Sequence, residues 1–327
     1  MKNATPVLQR LCPTLAAAAL CFVWSVAVVA DTVTVGSYNV RNFFDVFDDP
    51  YTGDEGVRVK SREDVMTLAR AIKALDADVV VFQELENEHL LRAIVDEFLP
   101  SMGYRYVGAQ RTNSGRGINL GVISRLPIVE MRSYRFQTLT HPDAPGREWR
   151  FARDLMRVTL DADGDAGDET FDVFNVHLKS NRDGPDDPNS RLFRTAEAMR
   201  VAEIVAAEVE ADPGFLAVVA GDFNSNYETR PEQPRPWPAM EHLLTQRVRY
   251  AGGRRVPLFT DVHAHLSDDD RVTIPGDGRF PPATFDYILA TPAMARRYVK
   301  DSARIIDSPR LTAASDHYPL SAAFRLD

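Results

Sequence analysis

Short apolar or alternating runs recur along this chain. They are Thr32 to Tyr38, Val79 to Phe82, Leu120 to Ser124, Leu155 to Leu160, Phe171 to Leu178, Leu216 to Ala220, Phe285 to Leu289 and Leu320 to Leu326. Branched and aromatic residues bounded by polar or turn residues predict β-strands. Helical patterns lie between some of them. Ser61 to Leu75 opens with Ser61-Arg62-Glu63-Asp64, a capping hydroxyl followed by acids in the first turn. Asn87 to Phe98 and Arg191 to Glu210 read as amphipathic helices, the second rich in alanine. Strands and helices alternate at first, and later the strands follow one another closely. That order predicts a mixed sheet, or two sheets, flanked by helices. Asn181 to Asn189 and the proline-rich Tyr227 to Pro238 read as loops. Neither reads as a linker, because the motifs on either side belong to one site.

The N-terminus breaks this pattern. Lys2 and Arg10 precede an uncharged apolar run, Leu11 to Ala30, which ends Val28-Val29-Ala30 before Asp31. A positive start, an apolar middle and a small residue before a polar one predict a secretory signal at residues 1–30. An uncleaved membrane anchor is the alternative, since the run is long for a signal. Cys12 and Cys21 each follow a leucine, where lipid attachment wants a small residue. They are the only cysteines, so a chain cleaved after Ala30 has neither a disulfide nor a thiolate metal site. The expectation is a secreted or periplasmic protein of one catalytic domain, residues 31–327, without stable membrane association after cleavage and with no protein partner implied.

Composition adds a constraint on partners. The 327 residues are 44% hydrophobic and 26% charged, ordinary for a folded domain able to bury a core. The net charge is −9, and loss of Lys2 and Arg10 with the signal takes it to about −11. An acidic chain is not a bulk polyanion binder, so contact with nucleic acid needs a local basic surface and a metal. Arginine is clustered between Arg105 and Arg157, although a mixed solvated surface accounts for most of these residues.

The residues able to do chemistry stand at the ends of the predicted strands, where a rigid sheet positions loops. Asn39 closes the first strand and could ligate a metal through its carbonyl, although such an asparagine is commonly a turn residue. Glu84 ends the buried run Val79 to Phe82. A carboxylate there needs a partner, either a hard cation or a surface salt bridge. His177 is placed to act as an acid or hydrogen-bond donor and Lys179 to meet an anion, though a lone strand histidine is more often structural. Asp222 and Asn224 follow Gly221 two residues apart, so they share a face of an extended chain. Asp286 sits inside an apolar strand. Asp316 and His317 are adjacent and point to opposite sides, so Asp316 could bind metal while His317 faces an acid such as Asp286.

Taken in order, Tyr38-Asn39-Val40, Gln83-Glu84-Leu85, Asn175-Val176-His177-Leu178, Gly221-Asp222-Phe223-Asn224, Asp286-Tyr287-Ile288-Leu289 and Ser315-Asp316-His317-Tyr318-Pro319 resemble the endonuclease/exonuclease/phosphatase superfamily. The resemblance implies a four-layer α/β sandwich, two packed mixed β-sheets flanked by helices. It implies Asn39 and Glu84 as metal ligands, with Asp316 as a further ligand or a group close behind. It implies that Asp286 orients His317 to serve an attacking water, that Asp222 and Asn224 align the nucleophile and hold the phosphate, and that His177 donates to the phosphate or leaving oxygen. Phe151-Ala152-Arg153-Asp154 resembles the arginine segment of deoxyribonuclease I-like members, which makes Arg153 the phosphate clamp. Lys179 and Arg116 would meet flanking phosphates. The cation implied is Mg²⁺ or Mn²⁺, with Ca²⁺ also compatible.

Arg41 stands where exonuclease III-type enzymes carry an acid, and those enzymes lack a histidine at the position of His177. The deoxyribonuclease I and sphingomyelinase side is therefore nearer. The expected activity is metal-dependent phosphodiester hydrolysis with nucleic acid as substrate, DNA or alternatively RNA. A phospholipid or inositol-phosphate phosphoesterase is the second reading. A lipid enzyme should carry an exposed apolar hairpin, and Tyr250 to Phe259 has only modest apolar flanks around Gly252-Gly253-Arg254-Arg255. An inactive binding or toxin-like subunit is the third, disfavoured by the retained acids and histidines.

Overall fold

The computed structural model describes Met1 and residues 32–162, 169–227, 237–278, 280–311 and 313–326. All but Met1 of the proposed signal at residues 1–30, and most of the loop from Tyr227 to Pro238, lie outside the described residues. Among those described, no helix is long and apolar enough to cross a membrane.

Among the described residues, fourteen strands form in chain order. The first four are β1 (Val33–Phe43), β2 (Val79–Leu85), β3 (Tyr106–Gln110) and β4 (Asn119–Ser124). Then come β5 (Ile128–Ser133), β6 (Leu155–Asp161), β7 (Thr170–His177) and β8 (Ala217–Asp222). A small hairpin, β9 (Arg247–Arg249) and β10 (Arg255–Pro257), precedes β11 (Thr260–Asp261), β12 (Asp286–Ala290), β13 (Arg304–Ile305) and β14 (Leu320–Phe324). One six-stranded sheet runs β13-β14-β1-β2-β4-β3, and the other runs β11-β12-β8-β7-β6-β5. Both are mixed: β1 pairs parallel with β2, and β7 with β8, among otherwise antiparallel neighbours.

Period-two alternation explains why the central strands are apolar almost throughout. Val33, Val35, Val79, Val81, Val218, Ala220, Ile288 and Ala290 face a core shared by the two sheets. The intervening Val80 and Phe82 pack outward against α1 (Arg62–Leu75) and α2 (Glu88–Phe98). Val219, Tyr287 and Leu289 pack outward against α3 (Arg191–Ala211) and α4 (Pro238–Thr245). Three apolar layers thus separate four structural layers, and the chain is a four-layer α/β sandwich.

Local signals hold at the helix starts. Ser61 and Asp64 form a reciprocal capping box on α1, and the Asn87 side chain accepts from Leu90 N at the start of α2. The amphipathic pattern expected over Arg191 to Glu210 holds only in its later turns. Residues Arg194 to Ala198 are buried all round, because that end of α3 runs beneath the functional cleft. The edge strands β3 and β5 escape the hydrophobic pattern, having one covered face and polar or glycine positions between.

Gly221 is the tightest point between β7 and β8. Its φ is +141°, and an added Cβ would stand 2.1 Å from the Val176 carbonyl oxygen. Gly221→Ala is therefore expected to destabilise the fold by about 3–5 kcal/mol, combining backbone strain with overpacking. A urea midpoint shift worth less than about 1 kcal/mol would show that the two strands can part without loss.

Candidate active site

Along the central strands, the positions facing the inter-sheet space change from apolar to polar at one end. On β1 the series Val33, Val35 continues as Ser37 and Asn39; on β2, Val79 and Val81 lead to Gln83. On β7, Val173 leads to Asn175 and His177, and on β8, Val218 and Ala220 lead to Asp222. The antiparallel β12 begins at the same end with Asp286. Register sets His177 beside Asp222 and Asp222 beside Asp286.

A buried polar bridge ties the sheets together beneath these groups. Gln83 Nε2 donates to Asn175 Oδ1 at 2.7 Å and to Ser37 Oγ at 3.2 Å. Asn175 Nδ2 donates to the carbonyls of Phe82 and Gly121, at 2.9 and 3.2 Å. Buried amides stay there only when so satisfied.

Asp222 is the hub. Its Oδ2 accepts from Asn39 Nδ2 at 3.1 Å and Asn224 Nδ2 at 3.2 Å, and lies 3.4 Å from His177 Nε2 and 3.9 Å from His317 Nε2. Its Oδ1 accepts from the Asn224 backbone at 2.8 Å. Burial pushes its carboxyl up to about 7, against the lowering influence of His317. The loop between β13 and β14 carries His317 to Asp222 from the other sheet. Ser315 Oγ donates to Asn39 O at 2.7 Å, and Tyr318 N donates to Thr273 O at 2.7 Å, which pins that loop.

The two histidines differ electrostatically. His317 Nδ1 lies 2.8 Å from Asp286 Oδ2. Burial alone would discharge it, but the carboxylates of Asp286, Asp222 and Asp316 prevail and raise it to about 10. His177 is held well below its ordinary value by burial, then by the cations Arg153, His317 and Arg116. At neutral pH the ring of His317 is charged and that of His177 neutral.

Glu84, His177, Asp222, Asn224 and His317 line a cleft of about 360 Å³ together with the cations Arg153, Lys179 and Arg116. Asn39 and Asp286 lie behind this wall, 1% and 2% exposed. Asp316 stands apart. Its side chain is 49% exposed and its Oδ2 lies 3.4 Å from Arg41 Nε. It borders a neighbouring apolar groove of about 590 Å³ with Trp237, Phe280 and Phe285.

A hard divalent cation fits this donor set in one form. Among the described residues, no three His, Cys, Asp or Glu side chains converge as a metal cage. Glu84 takes a left-handed φ of 64° at the end of β2, and its Oε2 accepts from Asn42 N at 3.1 Å. Glu84 lines the open cleft, and the buried Asn39 amide, whose Oδ1 also accepts from Arg41 N at 3.0 Å, would be the second oxygen ligand. That suits a cation such as Mg²⁺, which keeps most of its waters and takes one or two protein ligands.

Glu197 escaped the sequence reading. It is fully buried on α3, accepting from Ala152 N at 2.8 Å and Lys179 N at 2.6 Å. It thereby seats both segments that bring cations to the cleft, and Arg153 Nη1 donates to Leu178 O at 3.2 Å alongside. The available signal was an acid three residues after Arg194 in an alanine-rich helix, which alone reads as a solvated pair. Burial pushes its carboxyl from 4.5 to about 7. A raised folded value favours the protonated folded state, so this stability is present below pH ~4.5 and is lost as pH rises through about 7. Wild type should therefore lose roughly 3 kcal/mol relative to Glu197→Gln between those pH values. Urea titrations of both proteins across the window test this, and parallel curves would refute it.

The profile of the Endonuclease/Exonuclease/phosphatase family matches residues 36–317. No curated protein matches the sequence. Solved structures share the fold. The human Nocturnin catalytic domain with bound sulfate anion is 17% identical at a TM-score of 0.55, covering 90% of this chain and 94% of its own. The endonuclease/exonuclease/phosphatase from Beutenbergia cavernae DSM 12333 is 20% identical at a TM-score of 0.59, covering 90% and 72%. D. rerio TDP2 complexed with single strand DNA product is 15% identical at a TM-score of 0.56, covering 90% and 99%.

Proposed function

The chain belongs to the endonuclease/exonuclease/phosphatase family, and from that premise we propose that it is a divalent-metal-dependent phosphodiesterase acting on nucleic acid. The observation that carries this reading is the junction of Asp222 with both histidines on the wall of a cleft also lined by cations. Glu84 and Asn39 would hold the cation, which supplies charge neutralisation at the phosphoryl oxygens when bound.

The chain's own groups divide the remaining work. Asp222, raised toward neutrality and held in place by Asn39 and Asn224, accepts a proton from the attacking water. His317, kept charged by Asp286, offers Nε2–H to a phosphoryl oxygen. This reverses the water-serving role expected for His317 from sequence. His177, neutral, donates a hydrogen bond without adding charge. Arg153 clamps the phosphate, and Lys179 and Arg116 meet its neighbours.

A panel of plasmid DNA, RNA, bis(p-nitrophenyl) phosphate, sphingomyelin and inositol phosphates, with Mg²⁺ or Mn²⁺, tests the reading. Intact DNA and RNA beside hydrolysed sphingomyelin would overturn it. The apolar groove beside Asn224 favours that second reading, a diester with an apolar arm. The β9–β10 hairpin does not, because its tip, Ala251–Gly253, carries no large apolar side chain. Export is proposed from residues 1–30 alone, and mass spectrometry of the protein released by its native cell should find a mature chain beginning near Asp31.

A further inference from the structure

Charge is unevenly placed in this acidic protein. Residues 105–157 hold ten arginines and four acids, a net of +6, so the remainder carries −15 of the total of −9. Some of these arginines serve the fold: Arg125 pairs with Asp76 and Asp78, and Arg157 with Asp172 and Glu208. Among the described residues, Arg111, Arg135 and Arg150 pair with no carboxylate.

Two of these, Arg135 and Arg150, flank an apolar ring that faces water. Phe136 is 61% exposed, with the guanidinium of Arg135 4.6 Å and that of Arg150 5.7 Å from its ring centroid. Arg135 also donates to the Arg111 carbonyl. The group is fastened to the cleft. Asn113 Nδ2 donates to Arg135 O at 2.6 Å and to Phe151 O at 2.9 Å, while its backbone N donates to Arg153 O at 3.0 Å. Ser114 and Ala152, each one residue from these anchors, line the catalytic cleft.

We propose that Arg111, Arg135, Phe136 and Arg150 form a binding surface for the single-stranded nucleic acid that flanks the scissile phosphate. The inference rests on the nucleic-acid reading of the neighbouring cleft. Its chemistry selects the strand form. Planar guanidinium and phenyl groups stack on unpaired bases, which a duplex keeps stacked on each other. The arginines supply charge for phosphates on either side of a stacked base, and a short patch binds a short segment.

The test uses the mature chain in chelator, so binding is read without turnover. Fluorescence anisotropy of a fluorescein-labelled single-stranded dT12 is titrated over a range of salt. Phe136→Ala and the double variant Arg135→Gln/Arg150→Gln should each weaken binding about tenfold. Loss of two phosphate contacts should also lower the salt slope by roughly 1.4. Phe136→Trp should bind as well as wild type or better. Hydrolysis of bis(p-nitrophenyl) phosphate with Mg²⁺ should be unchanged in all of them. Variants that bind dT12 like wild type, or a wild type that prefers a duplex of the same length, would overturn the proposal. Patch-dependent binding by a wild type that hydrolyses no phosphodiester would uphold this surface and sink the enzymatic reading.

Discussion

His317→Ala is expected to lower kcat on a minimal diester by about a thousandfold, and Asp286→Ala by a similar factor. The double variant should be no slower than the worse single one, because Asp286 acts through His317. The Asp286 carboxylate stands 2.8 Å from Nδ1 of His317 and is the leading influence holding that ring charged against burial. Without it, His317 loses both its orientation and its charge, and the alanine at 317 has neither to lose. Losses that simply add in log rate would refute the pairing. The pH profile carries the same logic. Activity should rise as Asp222, raised to about 7, loses its proton, and fall as His317, raised to about 10, loses its own. In Asp286→Asn the descending limb should move to lower pH, since the main influence raising His317 is gone.

Glu84→Gln is expected to abolish measurable turnover and to weaken Mn²⁺ binding at least a hundredfold, roughly the cost of losing the one carboxylate of an open oxygen site. Chelation of the wild type should have the same effect on turnover, reversed by added Mg²⁺. Calorimetric titration of Mn²⁺ reads affinity independently of activity. Asp316→Asn is the informative comparison. Its half-exposed carboxylate turns to Arg41 and borders the apolar groove instead of the cleft, so its loss should cost far less affinity than that of Glu84. Equal losses at the two positions would place Asp316 among the ligands, as the resemblance implies. Full activity in chelator would remove the metal from the reaction altogether.

Both predictions depend on relations that differ in how far they could be read from sequence. Period-two alternation and capping are local, so the chain displayed them directly. Val79 to Phe82, Leu216 to Ala220 and Phe285 to Leu289 announced central strands, and Ser61 with Asp64 announced the start of α1. The polar residues closing those strands were visible as candidates because a buried run ending in Glu, His or Asp conflicts with burial unless a site explains it. The short edge strands were not visible, because they bury too little on one face to impose a pattern.

By itself, then, the sequence determined the strand and helix segments of the central layers, the family, and the set of residue types available for chemistry. Tertiary structure alone decided which of them meet. The register of β7, β8 and β12 sets His177, Asp222 and Asp286 in one row, and the loop pinned by Ser315 and Tyr318 brings His317 to it from the other sheet. It decided that Asp316 faces Arg41, that Glu197 is buried to seat Ala152 and Lys179, and that Arg135 and Arg150 flank an exposed Phe136. The physical reason is range. Propensity and alternation act between residues a few positions apart, whereas the contact of Asn39 with Asp222 spans 183 positions and exists only because two sheets pack face to face.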